Sequence, residues 1–245
     1  MSTLALRFAG PLQSWGVASR FAWRTTTSTP TKSAVVGLLA AALGWERDAD
    51  LSDLAALRFG VRADQPGVRV RDFQTAHHGD TGVSMPLSYR FYLADAVFLA
   101  AVEGDDQLIE ALHAAIKRPH FLPYLGRRSC PPSQPVNIGV RTLGLNEVLR
   151  QEPWLASEWY QRRERRTRVA LDMQIEVAPG TRGSDLQRDQ PVTFNPRHRR
   201  YDLRAYHNET IEITNPHGKQ VRENPPRQAV TAHPAHDPTI GLEAV

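Results

Sequence analysis

Residues 34–43 are apolar almost without a break: Ala34, Val35 and Val36, then Leu38 through Leu43, leave no polar stripe. A helix that is apolar all round is a buried helix. This one is too short to span a membrane, which takes about 20 apolar residues. The flanking sequence, PTKSAVVGLLAAALG over residues 30–44, predicts the ends. Thr29 is the expected N-cap, Pro30 suits the first helical position and Gly44 suits the stop. Lys32 is the odd residue, because a cation in the first turn opposes the helix dipole. It is tolerable if an anion sits there too, and free N–H groups at a helix start bind phosphate readily. A lysine that simply reaches solvent is the alternative.

Residues 3–9 alternate loosely and predict a first strand, closed by Gly10-Pro11. The turn that follows, GPLQSWG at 10–16, should expose Trp15. Residues 13–29 form a long polar loop holding Trp15, Arg20, Phe21, Trp23 and Arg24. A short helix is expected at 51–57, capped by Asp50 or Ser52, and a strand at 58–62. Residues 68–75, VRVRDFQT, alternate with period two. That predicts a strand with one wet face, shared by Arg69 and Arg71.

The Gly-rich stretch 77–86 reads as a mobile hairpin tip. Residues 87–93 and 96–102 are two strands or one bent strand. An amphipathic helix is expected over 105–117, with Leu108, Ile109, Leu112 and Ile116 on one side. A basic turn at 124–132 and a strand at 136–141 complete this part. Strand, helix, strand, hairpin, strand, helix, strand is the order of a split β-α-β unit, an α+β fold of the ferredoxin-like kind. RRM domains of that shape bind single-stranded RNA on a free sheet face, and such a face is expected here.

Beyond it lie an arginine cluster at 158–168 (EWYQRRERRTR), a strand at 169–177, and a second arginine cluster with aromatics at 189–204. This predicts a ferredoxin-like domain over 1–142, a smaller β-rich region over 143–214, and a Pro-rich, disordered tail over 215–245.

Composition sharpens the chemistry. The net charge of +4 is mild, but lysine occurs only at 32, 117 and 219 among the 30 basic residues. Arginine's planar fork suits phosphates and stacks on bases. A GC-rich genome accounts for the same bias. One cysteine, Cys130, excludes an internal disulfide framework and fits a reducing, cytoplasmic setting. The N-terminal sequence lacks the pattern of a signal peptide, and no apolar run is long enough to cross a membrane.

No Walker loop, GxGxxG or HExxH occurs, and the nine histidines are scattered, so neither cofactor nor metal is expected. Metal-free RNA cleavage needs a general base and a general acid. His77, His78, His120, Tyr89 and Lys117 are the candidates, but nothing in their spacing demands that role. Nucleic-acid binding has more support. Basic and aromatic residues interleave at Trp15, Arg20, Trp23 and Arg24, at Tyr89, Arg90 and Tyr92, at Tyr124, Arg127 and Arg128, and at Arg199 to Arg204 around Tyr201. Stacking plus a phosphate contact is the usual recipe for single strands. A solvated arginine face explains each cluster singly; together they carry weight.

Five motifs in order, GPLQSWG, PTKSAVVGLLAAALG, VRDFQT, YRFYLADAVF and RPHFLPYLGRRSCPPSQP, resemble the CasD family. This is the RAMP-superfamily subunit of the type I-E CRISPR surveillance complex, Cascade. The resemblance covers residues 4–140, with a looser match at DQPVTFNPRHRRYDLR. It implies a ferredoxin-like RAMP domain with a hairpin thumb, here at 73–92, and a variable C-terminal part. It implies a non-catalytic subunit that binds the repeat-derived 5′ tag of the CRISPR RNA and caps the backbone filament. The implied partners are that RNA, CasC-type backbone subunits, the CasA-type large subunit and, through the complex, target DNA. A sister family does cut precursor RNA, so a metal-independent endoribonuclease is the alternative. That family's Lys-His pairing is missing, since Lys117 is followed by Arg118. The implied RNA-binding set is Gln13, Trp15, Arg20, Arg24, Lys32, Ser33, Arg71, Tyr89, Arg90, Tyr124, Arg127 and Arg128.

Overall fold

A computed structural model describes residues 1–17 and 22–219. Its strands are β1 (Ser2–Gln13), β2 (Trp23–Arg24), β3 (Arg58–Gln65), β4 (Val68–Gln74), β5 (Ser88–Gly104), β6 (Asn137–Arg141), β7 (Arg168–Glu176), β8 (Asp185–Thr193) and β9 (Arg200–Thr214). The helices are α1 (Lys32–Leu43), α2 (Ser52–Ala56), α3 (Asp106–Lys117), α4 (Leu145–Gln151) and α5 (Glu158–Arg163). The strands form one sheet in the order β6-β1-β5-β3-β7-β9-β8, with β2 and β4 pairing to β5. The result is a mixed α/β protein built on a large, mostly antiparallel sheet.

Helix α1 is buried as its composition dictates, and Gly44 ends it in the left-handed conformation at φ 80°. Its start differs from expectation. Thr31, not Thr29, is the N-cap and accepts from the Ala34 N–H at 3.3 Å. Thr29 is engaged elsewhere, donating to Gln174 Oε1 at 3.1 Å. In α2, Asp50 accepts from the Ser52 N–H at 2.9 Å from outside the helix. Asp105 caps α3, which buries Ile109, Leu112 and Ile116.

Strand β1 does not stop at Gly10-Pro11 but runs on to Gln13, paired with β5 throughout. Proline is tolerated because the neighbour on the other side, β6, pairs only with residues 3–6. β5 is one bent strand, kinked at Asp95, a non-glycine residue at φ 56°. β3 and β4 lie end to end along it, β3 against residues 97–103 and β4 against 88–94. Their turn passes so close to β5 that a Cβ on Gly67 would sit 2.5 Å from the Ala94 carbonyl. β4 has no dry side, since none of its residues is buried.

Both sheet faces of the main body are covered, against the expected free face. α1, through residues such as Leu39, and α3 cover Phe8, Phe59 and Phe98 on one side. On the other, Leu145, Leu149 and Trp154 pack on Leu99, Leu171 and Met173. This second layer is held by a buried ion pair. Arg62 binds the Asp64 carboxylate through Nε and Nη2 at 2.6 and 2.8 Å, and its other N–H groups reach the Leu149, Glu152 and Pro153 carbonyls. Burial pushes the Asp64 carboxyl up, opposed by Arg62 and the Leu155 N–H. Nucleic acid therefore has no open sheet face in the main body, and the β2–β5–β4 extension lies beyond those layers.

Candidate nucleic-acid interface

β2 pairs in parallel with β5, setting Trp23 beside Tyr89 and Arg24 beside Arg90. The Trp23 ring stacks on Tyr89 at 4.9 Å and lies 6.0 Å from Phe91. From β4, the Arg71 guanidinium lies 5.5 Å from the Tyr89 ring centre. From the 124–132 turn, Arg127 lies 4.7 Å from the Tyr92 ring and donates to the Arg24 carbonyl at 2.8 Å. Arg69 donates to the Thr26 carbonyl at 3.3 Å. Segments far apart in sequence thus form one strip in which arginines flank aromatic rings. Trp23, Arg24, Arg71, Tyr124 and Arg128 are exposed, while Tyr89, Arg90 and Arg127 are half-buried.

The strip is held in place from below. Trp15, expected to be exposed, is 1% exposed and packs 5.4 Å from the Phe8 ring. Its backbone N–H donates to Thr26 Oγ1 at 2.8 Å, and its carbonyl accepts from the Thr27 N–H at 2.7 Å. Ser14 donates its N–H to the Leu125 carbonyl at 3.1 Å, and Gly126 comes so close that a Cβ there would overlap the Ser14 oxygen. Gln13 is buried as well, donating to the Phe8 and Ala96 carbonyls at 3.2 and 2.7 Å. The GPLQSWG turn is therefore a pin that aligns β2 with the 124–132 turn.

Lys32 is 2% exposed and reaches inward, its Nζ 2.8 Å from Glu176 Oε1. Burial lowers its pKa, with Glu176 pulling the other way. The helix start does hold an anion, but one of this chain: Asp189 Oδ2 accepts from the Lys32 N–H at 2.8 Å. Asp189 is also gripped by Arg204 Nε and Nη2 at 2.8 and 2.9 Å. The Arg204 guanidinium lies 5.2 Å from the rings of both Phe59 and Tyr206. The charge at the start of α1 thus ties that helix to β7, β8 and β9. Ser33 is half-buried, 3.4 Å from Thr31 Oγ1. Arg20 lies outside the described residues.

Trp23, omitted from the expected set, is 53% exposed and central to the strip. Its place beside Arg24 was the only signal for it, and parallel pairing of a two-residue strand has none. Among the described residues, no hydrogen bond joins any two of His77, His78 and His120. His77 bridges to Ser84 across the hairpin, whereas His120 packs against Gly44 at the end of α1. Among the described residues, no three His, Cys, Asp or Glu side chains are grouped to hold a metal ion. No described helix is long and apolar enough to cross a membrane.

Stacked rings bordered by arginines on an α/β sheet extension have the surface chemistry of a single-strand nucleic-acid binder. The comparisons with known proteins are specific. Residues 3–207 match the family model described as CRISPR-associated protein (Cas_Cas5), and the chain belongs to that family. It is 36% identical over 159 residues to the CRISPR system Cascade subunit CasD of Escherichia coli (strain K12), covering 56% of this chain and 70% of that one. It also resembles a solved structure described as a CRISPR RNA-guided surveillance complex, with TM-score 0.72 and 32% identity over 86% of this chain and 91% of that one. Another, described as the crystal structure of a Cas protein, gives TM-score 0.68 and 40% identity over 88% and 97%.

Proposed function

We propose that this protein is a non-catalytic, RNA-binding subunit of a type I-E CRISPR surveillance complex, holding the repeat-derived 5′ tag of the CRISPR RNA at one end of the backbone filament. The observation that carries the reading is the strip of Trp23, Tyr89, Arg71, Arg24 and Arg127 in a chain of the Cas5 family. The rings stack bases and the guanidinium groups take the phosphates. Arg90, paired with Arg24, and the exposed Tyr124 and Arg128 of the Arg127 turn are proposed to add to the strip. Gln13 and Trp15 support it from within, while Lys32 anchors α1 to β7 and β8 instead. The proposed partners are CasC-type and CasA-type subunits, and target DNA through the assembled complex, in the cytoplasm. The ferredoxin-like RAMP unit is taken as residues 1–142, with 143–214 as the C-terminal part. The direct test is binding of tagged against untagged RNA: the tagged strand should bind more tightly, and equal affinity overturns tag recognition.

The purified protein should not cleave repeat RNA, with or without chelator. Specific cleavage that is lost on changing His78, Tyr89 or His120 would establish the endoribonuclease reading instead.

The β4–β5 hairpin is the proposed thumb. Beyond the Gln74–Ser88 pair the ladder gives way to the isolated His77–Ser84 bridge, with the Met85 N–H on the Ala76 carbonyl at 2.7 Å and the His78 N–H on the Val83 carbonyl at 2.9 Å. Phe73, Val83 and Met85 are exposed on it. A two-stranded ribbon is marginal alone in water, so protease should cut near 79–82 in the free subunit and be blocked in the complex. Equal resistance in both states counts against a thumb that orders on assembly.

A further inference from the structure

A second group of basic residues lies where α5 leads into β7, joined by no hydrogen bond or ion pair to the strip among the described residues. Arg162, Arg165, His217 and Lys219 line a hollow of about 450 Å³. The backbone beneath is tightly specified. The Asn215 side chain is 3% exposed, and its Nδ2 donates to the carbonyls of Gln161, Glu164 and Arg166 at 3.0, 2.6 and 3.0 Å. Its Oδ1 accepts from the His217 N–H at 2.9 Å. The Lys219 N–H donates to the Arg165 carbonyl at 3.0 Å, and a Cβ on Gly218 would sit 2.4 Å from the Arg166 oxygen. Two segments some fifty residues apart are thus clamped with their cationic side chains on one surface.

The charges are incompletely answered from within. Glu158 pairs with Arg162 and lies 3.9 Å from His217 Nε2. Among the described residues, Arg165 and Lys219 have no carboxylate partner in any ion pair. Holding like charges together on a fixed backbone costs stability, and the field it creates draws polyanions. Trp159, next in sequence to Glu158 on α5, is 50% exposed and edge-on to Tyr160 at 5.5 Å.

We propose that this hollow is a second phosphodiester-binding site, which seats the backbone of a nucleic acid apart from the strip. Guide RNA and target DNA share that chemistry, and the experiment separates them. Fluorescence anisotropy on the full chain compares labelled tagged RNA with a labelled duplex DNA, across a salt series. The R165E/K219E double variant should lose at least about tenfold in affinity for one of the two. The slope of log affinity against log salt should flatten by about 1.4–1.8 for that ligand, given a contribution of about 0.7–0.9 for each of two phosphates. Loss for RNA assigns the guide, and loss for DNA assigns the target. Arg165→Lys, which keeps the charge, should retain most of the binding. Thermal melting checks the fold, and Lys219→Gln, an exposed single change, replaces the double variant if that fails to fold. Arg71→Ala serves as the separate probe of the strip: its failure to act would undercut the strip and leave this site standing. Unchanged affinity and slope for both nucleic acids would overturn the proposal.

Discussion

Asp189→Ala should cost about 3–5 kcal/mol of stability, the range for removing one partner of a buried ion pair. Asp189 and Arg204 are each 1% exposed at the side chain. Without the carboxylate, Arg204 keeps its burial between Phe59 and Tyr206 but loses both of its charge-assisted hydrogen bonds. The Lys32 N–H at the start of α1 loses its acceptor as well. Urea denaturation measures the loss, and a change under about 1 kcal/mol would show that the network is relaxed or wet. Lys32→Met is the milder companion, because Glu176 keeps the Phe59 N–H at 3.0 Å. Its pH signature is specific. Burial lowers the Lys32 pKa below 10.5, so the unfolded chain binds that proton more tightly. The group's contribution to stability therefore rises as pH climbs from the folded pKa towards 10.5. Lys32→Met should remove that rise.

Trp23→Ala and Tyr89→Ala should each weaken binding of single-stranded RNA by about 1–3 kcal/mol, the usual worth of a base on an aromatic platform. The rings touch each other, so the pair should be non-additive. The double variant should lose less than the two single losses combined. Arg71→Ala should weaken binding too and flatten the salt dependence, because it removes a phosphate contact rather than a stacking surface. Trp23 is 53% exposed and Tyr89 half-buried, so melting temperatures should move little. Wild-type affinity in all three variants would place the RNA elsewhere on the molecule.

Several elements were legible because their signal is local. The apolar run of α1 needs no partner to be read as buried, and Gly44 ends it because a left-handed residue suits a helix stop. α3 follows from its cap and its period, and β5 from two strand-like runs with a kink between them. Other features were not legible, because each depends on contacts between distant segments. Trp15 is apolar and polar-handled alike, and only Phe8 and the Thr26–Thr27 loop decide that it points inward. α4 and Trp154 close the second face through carbonyls that Arg62 gathers from some ninety residues away.

By itself, then, the sequence determined the local elements, their order through the first 142 residues, and a chemistry of arginines set among aromatics. Periodicity, caps and composition act over a few residues and survive without a fold. Tertiary structure decided which of those charges face water. Lys32 and Arg204 look like free cations in the sequence, yet 157 residues separate Lys32 from the Asp189 carboxylate that meets its N–H. Arg71 stays at the surface because β4 has no layer to cover it, and Arg127 is half-buried because the 124–132 turn lays it over Tyr92 of β5. A buried charge is retained only where a partner meets it, and the fold alone supplies that partner.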